Sequence, residues 1–451
     1  MKNVLNNPLG IKFGLVLVLI LLLQIPDAMV SGLISERSVR QDTVRDEIAQ
    51  SSSTEQRIVG PLMVIDYTQT RTREGRTDSE PRQAFILPQS LEVRANLDSF
   101  EKYRGIYRAR LYNADTALQG AFDLSLLKAW NRGAITDINV VVGVRDSRGL
   151  IRIDTMTLAD RQVDIIPGTG LIPLAQGFRT RLDRNALDLT QALTFDLRFL
   201  LQGMSKLQVT PLGQSTQVEL SSTWPHPSFI GDALPISSDV SPAGFRAQWT
   251  TNNVSTNITP LFQDCMSDTT LCDEFNQRQF GVDLIDPVDH YLKSHRAINY
   301  SLLVMTLVFA SFFLLEVLQA RQVHPIQYGF AGLALALFYL LLISLSEHTG
   351  FNWAYVISAC ASTGLLSVYV GGVFHHARHG AVFGVSLLCL YALLFGLIQA
   401  ENYALLMGSV LCFSVLTLVM VLTKNVDWYA QADPRSGPAH PAPPRLRNDD
   451  E

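Results

Sequence analysis

The chain has 451 residues, 47% of them hydrophobic and 17% charged, with a formal net charge of −5. No cluster of Lys and Arg marks a phosphate-binding surface, which excludes nucleic acid as the expected partner. The averages hide two materials: residues from about 34 to 297 carry the charge density of an ordinary folded domain, and those from about 298 to 424 carry almost no charge.

Residues 1–33 begin with Lys2 and Lys12, then run without a break through apolar Phe13 to Leu23 and on past Pro26 and Asp27. A cleaved signal peptide and an uncleaved signal anchor both fit. The anchor is preferred, because no small-x-small site follows and Ala28, Val30 and Gly32 keep the stretch apolar. Either way the lysines are expected in the cytoplasm and the next segment outside. Residues 34–57 place Ile34, Val39, Val44 and Ile48 four or five apart among many charges, which predicts an amphipathic or largely solvated helix, preferred as a plain spacer, ending near the serines at 51–53.

From Gly60 to about Trp249 the period falls to two. Strands are predicted at 62–67, 84–88, 91–97, 103–112, 121–127, 135–145, 150–156, 193–201, 206–211 and 216–222. Asp146-Ser147-Arg148-Gly149 has the composition of a hairpin turn between two of them. Many short strands at short spacing suggest two stacked antiparallel sheets. Trp224-Pro225-His226-Pro227 is a stiff turn. It is read as a structural corner, with a recognition loop carried by Trp224 and His226 as the sharper alternative.

Residues 250–297 form a junction. Of five cysteines, Cys360, Cys389 and Cys412 lie in apolar runs, while Cys265 and Cys272 lie seven apart in a polar stretch, where an exported chain would favour a local disulfide over two free thiols. Five apolar runs follow, at about 298–318, 325–346, 351–373, 381–398 and 403–423, each close to the roughly 20 residues that cross a bilayer. Residues 425–451 form a Pro-rich tail. With the N-terminus inside, six spans return the C-terminus inside. Lys and Arg then gather on the cytoplasmic side, while the short outer loops SEHTGFN and QAEN carry none. The expected architecture is therefore an α+β membrane protein: an N-terminal anchor helix, a large β-rich, sandwich-like periplasmic domain over 34–297, and a C-terminal five-helix transmembrane bundle over 298–424.

No P-loop, HExxH helix, GxSxG elbow or dinucleotide fingerprint is present. His375 and His379, four apart in HHARHG, suit one helix face as metal ligands, but a polar loop between two spans is the preferred reading and no metal is expected. Charged residues are placed at the edges of the spans rather than in their middles. Asp289, Lys293, Arg296, Glu347 and Glu401 are expected at one outer level, as a collar docking the exported domain on the bundle. Gly380 and Gly384, Gly332 and Ala336, and Ser358 and Ser362 form small-xxx-small pairs, read as packing within one chain.

Several longer phrases are specific. SERSVRQDTVRDEIAQ, Arg104-Gly105-Ile106-Tyr107, SSTWPHPSFIGDALP, AGFRAQW, FGVDLIDPVDHYLKSHRAINYS, HPIQYGFAGLALALFYLLLISLSEH, ENYALLMGS and VDWY resemble the CreD family of bacterial inner-membrane proteins. The resemblance covers nearly the whole chain and implies a cell-envelope integrity protein with a periplasmic domain, associated with a two-component system and colicin tolerance. It implies no catalytic residues and no cofactor. The expected function is a non-enzymatic binding or scaffold role toward a periplasmic or inner-membrane partner, beside the lipid bilayer itself. A transporter or lipid-handling permease is the alternative, and an envelope enzyme using His226, Asp289 or His290 is a third.

Overall fold

The computed structural model describes residues 8–73, 76–286, 290–319, 323–399 and 404–424. The chain is α+β and divides into two compact units, Gln41–Pro287 and Met1–Arg40 with Val288–Glu451. The division falls inside the first helix, α1 (Pro8–Ser51), in which the predicted anchor and spacer are one element of 44 residues with Pro26 in its interior.

The unit Gln41–Pro287 contains the last turns of α1, then β1 (Gln56–Arg73), β2 (Arg76–Ile86), β3 (Ser90–Arg104), β4 (Tyr107–Phe122), α2 (Ser125–Lys128), β5 (Ala134–Val144) and β6 (Leu150–Leu158). There follow β7 (Arg161–Gln162), β8 (Ile166–Pro167), β9 (Gly177–Arg181), β10 (Leu193–Met204), β11 (Lys206–Thr210) and β12 (Ser215–Ser222). It closes with β13 (Pro227–Gly231), β14 (Ser237–Ser241), β15 (Gly244–Asn252), α3 (Asn253–Thr256), α4 (Ile258–Ser267), α5 (Cys272–Gln277) and β16 (Phe280–Leu284). One eight-stranded sheet runs β13-β16-β11-β1-β5-β9-β8, with β2 also on β1; the other runs β14-β15-β12-β3-β4-β10-β6-β7.

Alternation places Leu91, Val93, Ala95 and Leu97 of β3, and Phe195, Leu197, Phe199 and Leu201 of β10, on one inward face. They share a single core with Ile58, Val140, Val142, Leu207, Val209 and Val282 of the other sheet. That other sheet is also covered on its far face. Val59, Leu62, Val64 and Val141 pack there against Ile258 and Phe262 of α4 and Phe275 of α5. Burial on both faces is why Leu62-Met63-Val64-Ile65 is a continuous apolar run and not an alternating one.

Four sequence expectations are corrected in this unit. The stretch 121–127 is not a strand: β4 ends at Phe122 and a turn of helix follows. Asp146–Gly149 is not a hairpin turn, because β5 pairs with β1 and β9 in one sheet while β6 pairs with β10 and β7 in the other. The segment is instead a sheet-to-sheet crossover with a 3-10 turn capped by Asp146. The end of α1 is amphipathic and not a plain solvated spacer, since Val44 and Ile48 are buried against Ala109 and Leu111 of β4. Short strands β9 and β13–β16 were also missed.

The other unit contains the first part of α1 with α6 (His290–Asn299), α7 (Ser301–Gln319), α8 (Pro325–Thr349), α9 (Phe351–Phe374), α10 (Ala377–Gln399) and α11 (Ala404–Thr423). Among the described residues, four helices are long and apolar enough to cross a membrane: Gly14–Ser51, α8, α9 and α10. A fifth is counted if α6 and α7 form one broken span. The run expected over 298–318 is thus not one straight helix, because α6 and Ser301–Glu316 of α7 meet at a 45° bend. Local chemistry sets the start of α8. His324 accepts from Ile326 N–H, Gln327 caps back onto His324 N–H, and Pro325 occupies the first turn, where no donor is needed. A Cβ at Gly380 would collide with the Ser367 carbonyl, and one at Gly384 with the Ser367 hydroxyl, so these glycines let α10 close onto α9. The tail 425–451 lies outside the described residues.

Candidate functional site

In the β-rich unit a cavity of about 460 Å³ opens between the start of β1, the end of β5, the turn at Ile172–Leu174 and the segment after α5. Arg57 forms part of its wall. It lies on the same face of β1 as Val59, the face that α4 and α5 cover, so its charged end is held beneath the helices. Its Nε donates to Thr210 Oγ1 at 2.8 Å, Nη1 to Asn276 Oδ1 at 2.7 Å and Nη2 to the Phe275 carbonyl at 3.4 Å. The guanidinium also lies 5.1 Å from the Phe275 ring centre. Every one of these partners is neutral, and among the described residues no carboxylate pairs with Arg57.

Burial, with the like charge of Arg145 added, pulls the Arg57 pKa down to about 10, so the side chain remains a cation at neutral pH. Arg145 on the same wall is exposed and pairs with Glu55 at 3.0 Å. Glu55 also takes Lys206 at 2.7 Å, so one carboxylate serves two cations. Gln279 adds a buried amide whose Oε1 has no hydrogen-bond partner. At the mouth Ile172 is 86% exposed. The sequence signal for this site is faint: Arg57 is a lone cation before an apolar run.

A second polar knot joins α1 to the β5–β6 crossover. Asp146 is buried and accepts from Thr54 N–H at 3.0 Å, Thr54 Oγ1 at 3.2 Å, and Arg148 Nε and Nη2 at 2.9 and 2.7 Å. Burial opposes its ionisation, but the bonds from Arg148 and Thr54 outweigh burial and hold the pKa down to about 2. Arg148 Nη1 also reaches the Gln50 carbonyl at 2.5 Å, satisfying a free acceptor at the end of α1.

The sequence-predicted sites fare unevenly. Cys265 and Cys272 are joined as a disulfide, linking α4 to α5. Trp224 is packed into a corner rather than displayed. Arg110 stacks on its ring at 3.4 Å, its indole N–H donates to the Ile285 carbonyl at 2.9 Å, and its ring meets exposed His226 edge-on. His375 and His379 do not share a helix face. His375 ends α9 in a left-handed conformation, whereas His379 is on α10 beside His376.

In the proposed collar, Asp289 and Glu401 lie outside the described residues. Glu347 engages Arg37 at 3.8 Å and Tyr291 Oη at 3.0 Å, both in its own unit. Lys293 donates to Gln399 Oε1 at 3.1 Å. The contacts described for Glu347 and Lys293 are internal to the helical unit, and Arg296 lies on α6 of the same unit.

At the other end of α1, Lys12 pairs with buried Glu316 at 2.5 Å. Glu316 also accepts from Val323 N–H at 3.1 Å and Tyr328 Oη at 3.0 Å. Between these two ties lies a residue that sequence reasoning passed over. Asp27 is only 4% exposed, about 20 Å of helix rise beyond Gly14. Ser301 and Tyr339 are its polar neighbours, and no cation pairs with it among the described residues. The expectation that span interiors carry no charge is corrected here. The signal was visible as an acid inside an apolar stretch, because the run continues past Asp27 toward Leu33.

Comparisons with known proteins follow the same lines. The chain matches the family described as Inner membrane protein CreD over residues 8–429. It is 35% identical over 437 residues to the Inner membrane protein CreD of Escherichia coli (strain K12), covering 96% of each chain. Among solved structures, an M1 zinc metallopeptidase from Deinococcus radiodurans is matched at a TM-score of 0.20 and 9% identity, over 37% of this chain and 38% of that one. Native yeast LTA4 hydrolase is matched at 0.20 and 9%, over 36% and 26%. Similarity at that level bears on neither fold nor chemistry. The match along nearly the full length, together with the apolar helices, makes the chain a multi-pass inner membrane protein of the CreD family.

Proposed function

We propose that the chain is a non-catalytic binding protein of envelope homeostasis. The anchor and a five-helix bundle hold the β-rich unit in the periplasm, with both termini in the cytoplasm. The distribution of Lys and Arg around the spans supports that orientation. The observation that carries the binding role is the open cavity in the β-rich unit, whose walls combine the half-buried Arg57 cation with further polar and apolar side chains. Convergent polar groups beside apolar side chains in a concave site fix the orientation of a small ligand, and here the polar groups dominate the wall.

A second reading, a permease, is favoured by Asp27, because an acid within a span is costly and is kept where a proton or ion is handled. Photocrosslinking in cells tests the first reading. A photoreactive residue replacing Ile172, at the cavity mouth, is expected to give adducts that Ala175→Trp, which fills the cavity, abolishes. The same probe at Val254, 94% exposed elsewhere on the unit, is expected to give a background that Ala175→Trp leaves unchanged. Equal yields at both positions, indifferent to the filled cavity, would sink the reading.

A further inference from the structure

We propose that the cavity beside Arg57 binds a small organic anion, a carboxylate or phosphate monoester bearing a short apolar tail. The inference rests on the reading of the β-rich unit as a binding module and adds the chemical class of its ligand.

The argument begins with charge. Arg57 is half-buried, and a guanidinium drawn partly out of water commonly meets a carboxylate, because desolvating an unpaired charge is costly. Arg57 is held instead by a hydroxyl, an amide oxygen, a backbone carbonyl and a ring, all neutral. These contacts fix the direction of the guanidinium and use three of its five N–H groups, leaving donors in the planar fork that suits carboxylate and phosphate oxygens. The local ledger stays positive, since Glu55 is shared by Arg145 and Lys206, Asp283 stands opposite Lys206 on β16, and Arg57 makes a third cation against those two carboxylates. Arg145 is exposed and long enough to turn toward a bound anion from the rim.

The Gln279 amide supplies the second observation. Its Oε1 is buried with no partner, a state that costs free energy unless something fills it. The oxygen is closed off from solvent, so the group a ligand meets first on this wall is Arg57.

Size and lining set the remainder of the ligand. About 460 Å³ exceeds what an inorganic ion fills. Val59, Pro173 and Leu174 line the cavity, and Ile172 extends the apolar surface outward at the mouth. An exposed isoleucine beside a cationic wall matches a molecule with one charged end and one apolar end.

Titration calorimetry on the full chain in neutral detergent, with empty-micelle heats subtracted, tests the assignment. The probes are octanoate, octyl phosphate, acetate, inorganic phosphate and octanol. Saturable binding is expected for octanoate or octyl phosphate or both, and whichever binds names the head group. Acetate and inorganic phosphate are expected to bind at least about ten-fold more weakly, and octanol not measurably. Arg57→Gln is expected to weaken the anions by about ten-fold or more. Arg145→Gln, at an exposed position where folding is not at stake, is expected to weaken them by a smaller factor. Ile172→Ser is expected to weaken the octyl probes and leave acetate unchanged. Binding of octanol as tight as octanoate, no saturable binding by any anion, or affinities indifferent to both arginine variants would overturn the assignment. If the anions fail while Ala175→Trp still removes the crosslinks from position 172, the ligand class falls and the binding role stands.

Discussion

Lys12→Met is expected to destabilise the helical unit by about 3–5 kcal/mol, because it leaves the buried Glu316 carboxylate without its cation. The acid would keep its bonds from Val323 N–H and Tyr328 Oη, but neither carries the compensating charge. Glu316→Ala is expected to cost a similar amount, since it strands the Val323 amide and the Tyr328 hydroxyl as well as the lysine. The double variant Lys12→Met/Glu316→Gln removes both charges and retains an amide to serve the two neighbours. It is expected to recover most of the loss. Unfolding of the purified chain in detergent, followed for the parent, Lys12→Met, Glu316→Gln and the double variant that combines those two changes, gives the coupling directly. Additive single losses with no recovery would show that the pair does not hold α1 to α7 and α8.

The Asp146 knot has the second largest expected effect, and its effect depends on pH. The unfolded carboxyl titrates near its usual value of about 3.9, whereas in the folded chain it is held at about 2. A depressed carboxyl stabilises the fold fully above its unfolded pKa, and the contribution fades as pH falls through the folded one. The difference amounts to about 2 kcal/mol at neutral pH, lost between about pH 5 and pH 2. Asp146→Ala is expected to cost at least that, because Thr54 N–H and the Arg148 guanidinium lose their acceptor together. The variant is also expected to flatten the acid limb of the stability profile of the β-rich unit. Parallel acid limbs for the variant and the parent chain would remove Asp146 from the account.

Much of this architecture was legible because it rests on local pattern. The apolar runs report the cost of burying backbone in hydrocarbon, and the alternation in β3 and β10 reports a sheet with one face in the core. What stayed hidden depends on partners distant in sequence. Nothing near Asp146–Gly149 says that β5 and β6 enter different sheets, since β5 pairs with β1 and β6 with β10. The parallel pairings of β1 with β11 and of β3 with β12 join segments more than 100 residues apart and leave no local trace. The same holds for sites. The spacing of Cys265 and Cys272 pointed to a local link because both ends lie in one stretch. Glu347 was grouped with cations near it by level in the membrane, but the cation 3.8 Å from it lies on α1, at Arg37. Arg57 gained its meaning from what the fold sets around it, and a lone arginine in a sequence carries no sign of neutral neighbours.

The central claim is that function resides in a ligand site on the β-rich unit and not in ion handling among the spans. Envelope permeability in a strain lacking the chain, complemented by full-length variants at matched membrane levels, tests it most directly. Ala175→Trp, which closes the cavity, is expected to leave the envelope as leaky as in the deleted strain, while Asp27→Asn is expected to restore the barrier as well as the parent chain. A silent Ala175→Trp beside a failing Asp27→Asn would contradict the account and assign the function to the helices.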